Sequence, residues 1–153
     1  MSLQQWADNG WLKVHKTSPQ EIANLLAIVR RDLKDAGTKQ ISSDWRFGMA
    51  YNAALKLCTI ILFAEGYQPE KNLAHYRTLQ SLPIIMGPEF EDDAVYLDAC
   101  RSKRNALEYE SVGGVTNEDS YELIDFTIEL ETKVMAWLKL RHSALLPETK
   151  SKR

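Results

Sequence analysis

Residues 42–66, SSDWRFGMAYNAALKLCTIILFAEG, decide the fold. At helical spacing this stretch is apolar almost all the way round. Trp45, Phe47, Ala50, Ala53, Ala54, Leu57, Cys58, Ile60, Ile61 and Phe63 leave only a narrow polar stripe through Gly48, Asn52, Lys56 and Thr59. Ser42 or Ser43 caps its start and Gly66 ends it. A helix with that distribution belongs at the centre of a bundle, and its small residues let neighbouring helices approach closely. Arg46, Asn52 and Lys56 interrupt the run, so no segment is expected to reach the roughly 20 apolar residues of a membrane span.

The flanking sequence supplies the neighbours. Upstream, Ser18-Pro19-Gln20-Glu21 reads as a capping box with proline at the first helical position. Ile22, Leu25, Leu26, Val29 and Leu33 then trace one face up to Gly37. Downstream, a shorter helix is expected from about Asn72 to Leu82, stopped by Pro83. Gly87-Pro88 opens the next, which carries Phe90, Ala94, Leu97, Cys100, Arg104 and Leu107 before the Gly113-Gly114 break. Thr116-Asn117-Glu118-Asp119 resembles another cap, from which a long helix runs to about Arg141. It shows two apolar stripes: Tyr121, Ile124, Ile128, Met135 and Leu138, and opposite them Leu123, Leu130, Val134 and Trp137. Two stripes predict two neighbours, one of which could be another chain. No strand pattern, internal repeat or linker is evident. The expected fold is all-α, a compact up-and-down bundle of about five helices in one domain spanning 1–146, followed by a polar tail over 147–153.

The composition narrows the function. A chain of 153 residues fits one domain. A net charge of -2 argues against a general electrostatic grip on nucleic acid, though not against a local basic patch. Cys58 and Cys100 lie inside helical patterns, far from any Cys-x-x-Cys spacing, and read as reduced core residues. The N-terminus lacks the basic start and apolar run of a signal peptide. A cytoplasmic protein without membrane association is therefore expected. Metal-ligand spacings, glycine-rich phosphate loops and nucleophile elbows are missing from the sequence, so no metal or cofactor is expected. Trp6, Trp11, Trp45 and Trp137 form no base-stacking series and read as core and interface residues. His15 and His142 have no partner pattern, and Asp92-Asp93 is explained by the helix dipole.

The segment Arg101-Ser-Lys-Arg-Asn-Ala-Leu-Glu-Tyr109 places an arginine where a helix should be apolar. Leu97, Cys100, Arg104 and Leu107 recur at offsets of three, four and three, with Arg101 and Asn105 on the adjoining flank. A guanidinium stays protonated and is rarely buried without a partner. Arg104 must meet an internal carboxylate, a second subunit or a phosphate. Glu131 is the internal candidate, because it interrupts its own apolar stripe in the same way. Arg101 and Lys103 sit near a helix C-terminus, where cations are favoured in any case.

Arg104-Asn105-x-x-x-Tyr109 on a central helix of a small helical chain resembles the signature of the HEPN superfamily. Further likeness to small stand-alone bacterial members lies in Asp44-Trp45-Arg46-Phe47, Ala50-Tyr51-Asn52-Ala53-Ala54-Leu55, Thr78-Leu79-Gln80-Ser81-Leu82-Pro83 and Lys103-Arg104-Asn105. The resemblance implies a homodimer whose paired motifs form one positively charged cleft. It also implies an RNA or nucleotide ligand and, in many members, metal-independent endoribonuclease activity. A toxin or defence role with a nucleotidyltransferase-type antitoxin would fit that pattern. Arg104 would then clamp phosphate, Asn105 would orient it, Tyr109 would donate a proton or hydrogen bond, and Arg101 and Lys103 would add charge. The family motif ends in histidine, whereas Tyr109, Glu110 and Ser111 occupy its allowed places here. Drawing a proton from tyrosine, with its pKa of about 10, costs roughly 4 kcal/mol at neutral pH unless a nearby arginine lowers that value. His75-Tyr76-Arg77 could supply the missing imidazole, with Arg77 as an added ligand contact. Enzymatic activity stays open at this point. The alternative is a non-catalytic helical dimer that binds a nucleotide or a protein through a degenerate motif.

Overall fold

Ser42 caps helix α3 (Ser43–Ala64) by accepting from the Trp45 N–H, and the other helices are arranged around it. The computed structural model describes residues 1–109 and 114–146, with Glu108 and Tyr109 described by backbone alone. The expected tail at 147–153 and the first glycine of the Gly113-Gly114 break lie outside these residues. Helix α3 packs against α2 (Pro19–Ala36), α4 (Ala74–Met86), α5 (Glu91–Tyr109) and α6 (Asn117–Arg141). Its Leu57, Ile60, Ile61 and Leu62 are wholly inaccessible, each contributing on the order of 1.5–3 kcal/mol by burial. The polar stripe is as expected: Gly48, Asn52, Lys56 and Thr59 are all half-buried. The architecture is an all-α bundle.

By length and composition α3 does reach the dimensions of a membrane span, with mean hydropathy 1.5, correcting the expectation that no segment would. Arg46 and Lys56 are too few to bring its average down. Inside the fold 67% of that stretch is buried against the other helices.

Arg46 is the least expected core residue, 3% exposed. Its Nε donates to the Ala36 carbonyl at 2.7 Å, and its guanidinium lies 4.7 Å from the centre of the Tyr121 ring. The last turn of a helix leaves carbonyls without intrahelical partners. Arg46 satisfies one of these at the end of α2 and bridges α2, α3 and α6.

Several local readings are corrected. Ser18 caps α2 by accepting from the Glu21 N–H, but the reciprocal half of the capping box is not made. The Glu21 carboxylate instead meets His15 Nε2 at 2.9 Å. The other histidine without a pattern, His142, meets Glu65 at 2.6 Å. Helix α4 runs through Pro83 to Met86. Proline removes one N–H, but Ile84, Ile85 and Met86 beyond it pack against the core and hold the last turn in place. On α6, Ser120, Leu123, Ile124, Thr127, Leu130, Val134 and Leu138 form one buried face. Tyr121 and Ile128, read as seam residues, fall off that face and are 43% and 48% exposed. At the start of α6 the cap is complete: Thr116 accepts from the Asp119 N–H and Asp119 accepts from the Thr116 N–H.

Two small features add to the bundle. Helix α1 (Leu3–Asp8) is closed by a Ser2/Gln5 capping box. Strands β1 (Leu12–Val14) and β2 (Tyr67–Pro69) pair antiparallel, Lys13 opposite Gln68. Trp6, Leu12 and Leu62 make a satellite core beneath them. The ribbon corrects the expectation of no strands. Three residues per strand are too few to show an alternation.

A candidate anion-binding cleft

Helix α5 carries the predicted seam. Leu97 and Cys100 are buried, while Arg104 and Leu107 are half-buried. The two half-buried residues leave the core because they form one wall of a cleft of about 580 Å³. Its floor is the first part of the polar stripe of α3, Gly48 and Asn52, with Met49 beside them and Trp45 at the rim. Arg31 and Asp32 of α2 form the opposite wall, and Ser42 and Asp44 close one end. The stripe serves as a floor because residues four apart on a helix share a face, and Gly48 adds no side chain to fill it.

Asp32 is the unusual wall residue. It is 6% exposed, on the same face as Ile22, Leu26, Val29 and Ala36. A buried carboxylate is stable only when hydrogen-bonded. One oxygen accepts from Arg31 Nε at 3.0 Å and Nη2 at 2.9 Å, and the other from Asn52 Nδ2 at 2.6 Å. The Asn52 bond holds the α2 wall to the α3 floor.

Positive charge gathers at the Arg104 side. The Arg104 guanidinium lies 5.6 Å from the centre of the Tyr51 ring. The Tyr51 hydroxyl is buried without a hydrogen-bond partner among the described residues. Burial raises its pKa above the usual phenol value, against the opposing pull of Arg101 and Arg104. His75 of α4 keeps an exposed edge. Burial of the rest of its ring, and then the nearby cations Arg104, Lys56 and Arg101, hold its pKa below 6.5. His75 is therefore mostly neutral at pH 7 and sits within the field of three cations from α3 and α5. Arg101 also donates to Asp98 at 2.8 Å and lies 5.7 Å from the centre of the Tyr76 ring.

The remaining sequence-predicted residues lie elsewhere. Asn105 is exposed and does not line the cleft. Lys103 reaches Asp119 at the start of α6, 3.5 Å away. Arg77 stacks on Trp11, 3.7 Å from the ring centre, and serves the N-terminal segment. The Tyr109 side chain lies outside the described residues. Glu131, proposed as the acid for Arg104, meets Arg30 of α2 at 3.2 Å instead. Trp45, read as a packing residue, is 70% exposed at the cleft rim.

Sequence reasoning missed Asp32, Lys56 and Tyr51 as site residues. Asp32 carried a signal, since an acid at an apolar seam position is as anomalous as Arg104. Among the described residues no cluster of three or more metal-ligating side chains is present. Comparison with protein-family models, with curated proteins and with solved structures finds no match to this chain.

Proposed function

We propose that the cleft binds the phosphate of a nucleotide or an RNA strand, in the manner of a HEPN-like protein, with Arg104 as the principal anchor. The observation that carries this reading is Arg104 on the wall of a cleft large enough for a small-molecule ligand, with Arg101 one turn before it on α5. An arginine fork suits two phosphate oxygens, and clustered cations raise the local concentration of an anion even on a chain of net charge -2. Two copies of the chain paired near this site belong to the same proposal. Light scattering tests that pairing, and a monomer mass at working concentration rejects it.

The binding test is fluorescence anisotropy with labelled mixed-sequence RNA and calorimetry with mononucleotides. Arg104→Ala is expected to weaken affinity about tenfold or more, the worth of a charge-assisted hydrogen bond to phosphate. Affinity unchanged in that variant refutes the reading.

A second reading, cleavage, is favoured by the exposed imidazole of His75 on α4, whose neighbour Tyr76 lies 5.7 Å from the Arg101 guanidinium of α5. A mostly neutral imidazole can take the proton of a ribose 2′-hydroxyl at pH 7. The 2′-oxygen would attack phosphorus as the bond to the 5′-oxygen breaks. The leaving oxygen would take a proton from Tyr109, leaving a 2′,3′-cyclic phosphate and a 5′-hydroxyl. Products with those ends, lost in His75→Ala, are expected. RNA left intact by the purified chain refutes cleavage while leaving binding in place.

A further inference from the structure

We propose that Arg31 is a second phosphate anchor, on the wall opposite Arg104, so that the cleft takes a nucleoside carrying two phosphates. A nucleoside 3′,5′-bisphosphate has that form, and so does each internal nucleoside of an RNA strand. This inference rests on the preceding reading that Arg104 holds a phosphate, and it assigns the other end of that ligand.

Asp32 is spent inside the protein. One oxygen accepts from Arg31 Nε at 3.0 Å and Nη2 at 2.9 Å, and the other from Asn52 Nδ2 at 2.6 Å. The carboxylate has little left for a ligand, and its effect falls on the arginine. A guanidinium carries its five N–H donors in a rigid fork. The bonds to Asp32 use Nε and Nη2 and leave Nη1 for another acceptor. The pair is also lopsided, since the Arg31 side chain is 62% exposed and that of Asp32 only 8%. Its positive end is therefore the one that a ligand in the cleft would meet. Asn52 ties Asp32 to α3, so the fork is held beside the floor instead of swinging on its stem. A planar fork fixed in this way suits two oxygens of one phosphate.

The remainder of the cleft fits the nucleoside between the two phosphates. Its floor offers Met49 and, beside it, Gly48, where an added Cβ would meet nothing within 4 Å. Leu107 adds apolar surface to the α5 wall. Trp45 stands at the rim, 70% exposed, and base–aromatic stacking is a general mode of holding an unpaired base. The remaining acid, Asp44, lies in the first turn of α3, where a helix N-terminus favours negative charge, and it closes one end of the cleft instead of lining either wall.

The test is calorimetry of the full chain at pH 7 with adenosine 5′-monophosphate, adenosine 3′,5′-bisphosphate and a mixed-sequence single-stranded RNA. The bisphosphate is expected to bind about tenfold or more tightly than the monophosphate, the effect of one further charge-assisted contact. Arg31→Ala should remove that advantage and leave the monophosphate unchanged. Because Arg31 also neutralises Asp32, Arg31→Lys serves as the variant that keeps a cation beside the carboxylate. Without the planar fork it should lose several-fold of the advantage while melting like the parent. Asp32→Asn, which acts only by positioning Arg31, should likewise reduce the advantage without moving the monophosphate. RNA binding that weakens in Arg31→Ala places the two phosphates in a strand, whereas sensitivity of the bisphosphate alone places them on a free nucleotide. Equal affinity of the parent for bisphosphate and monophosphate, or an advantage that survives Arg31→Ala, overturns the second anchor and leaves Arg104 as the only one. No binding of either nucleotide or of RNA overturns both readings.

Discussion

Replacing Arg46 by alanine removes the joint that ties the end of α2 to α3 and α6. Arg46 is 3% exposed, and its guanidinium donates to the Ala36 carbonyl at 2.7 Å and lies 4.7 Å from the centre of the Tyr121 ring. A hydrogen bond from a charged donor contributes about 1.5–3 kcal/mol. The cation–π contact adds about 0.5–1 kcal/mol. The loss should therefore be roughly 2–4 kcal/mol, a large part of the stability of about 5–15 kcal/mol typical of a native protein. For a chain of this size each kcal/mol moves the melting midpoint by about 2–4 °C, so Arg46→Ala should melt roughly 5–15 °C lower. Arg46→Lys keeps the charge but not the planar fork, and should recover part of the loss. Tyr121→Leu should cost only the ring contact. Urea unfolding followed by far-UV circular dichroism gives these differences directly, provided the slope is unchanged. An Arg46→Ala variant within 1 kcal/mol of the parent would show that the arginine does not bear on the joint, and the reasoning would fail.

Four further outcomes follow from the same structure. His75 titrates below 6.5 in the folded chain, so the unfolded chain takes up its proton first as pH falls. Stability should be complete above about pH 6.5 and decline below it, and His75→Gln should flatten that slope in urea melts; an unchanged slope rejects the assignment. Pro83→Ala restores a donor inside α4 and should raise stability by about 1–2 kcal/mol, whereas a lower melting point would mean that the ring packs better than the bond it displaces. Gly48→Ala should stabilise α3 by about 0.5–1 kcal/mol, since nothing stands within 4 Å of the added Cβ, and should at the same time weaken nucleotide binding measured by calorimetry. Thr116→Ala removes the cap of α6 and should cost about 1 kcal/mol in the same melts, with a neutral result rejecting the capping role.

What the sequence could reveal depended on length and period. Helix α3 was readable because 22 residues of nearly uniform apolar character admit one placement, and two residues of its polar stripe, Gly48 and Asn52, line the cleft floor. The α5 seam was readable because its offsets are regular, and Arg104 stood out only against that regularity. Helix α1 and the β1–β2 ribbon escaped because six and three residues carry no measurable period. Tyr121 and Ile128 were read into an apolar stripe from their helical spacing, although neither lies on the face of α6 buried within the chain. The cleft was half legible. Arg104 and His75 were found by residue type, but their nearness depends on how α4 and α5 meet. Asp32 depends on the pairing of α2 with α3, and side-by-side packing leaves no trace in a single strand of text.

Helix α3 is both the keystone of the bundle and the floor of the Arg104 cleft. Mutation can therefore reshape that floor only by disturbing the element against which four other helices rest. Gly48 keeps a helix-weakening residue there, so the depth of the cleft and the rigidity of the whole molecule trade against each other at a single position. Changes in ligand preference would have to arise in the side walls, at Arg31 and Asp32 or at Arg104 and Leu107. On this scaffold, specificity can drift laterally while the base of the cleft stays fixed.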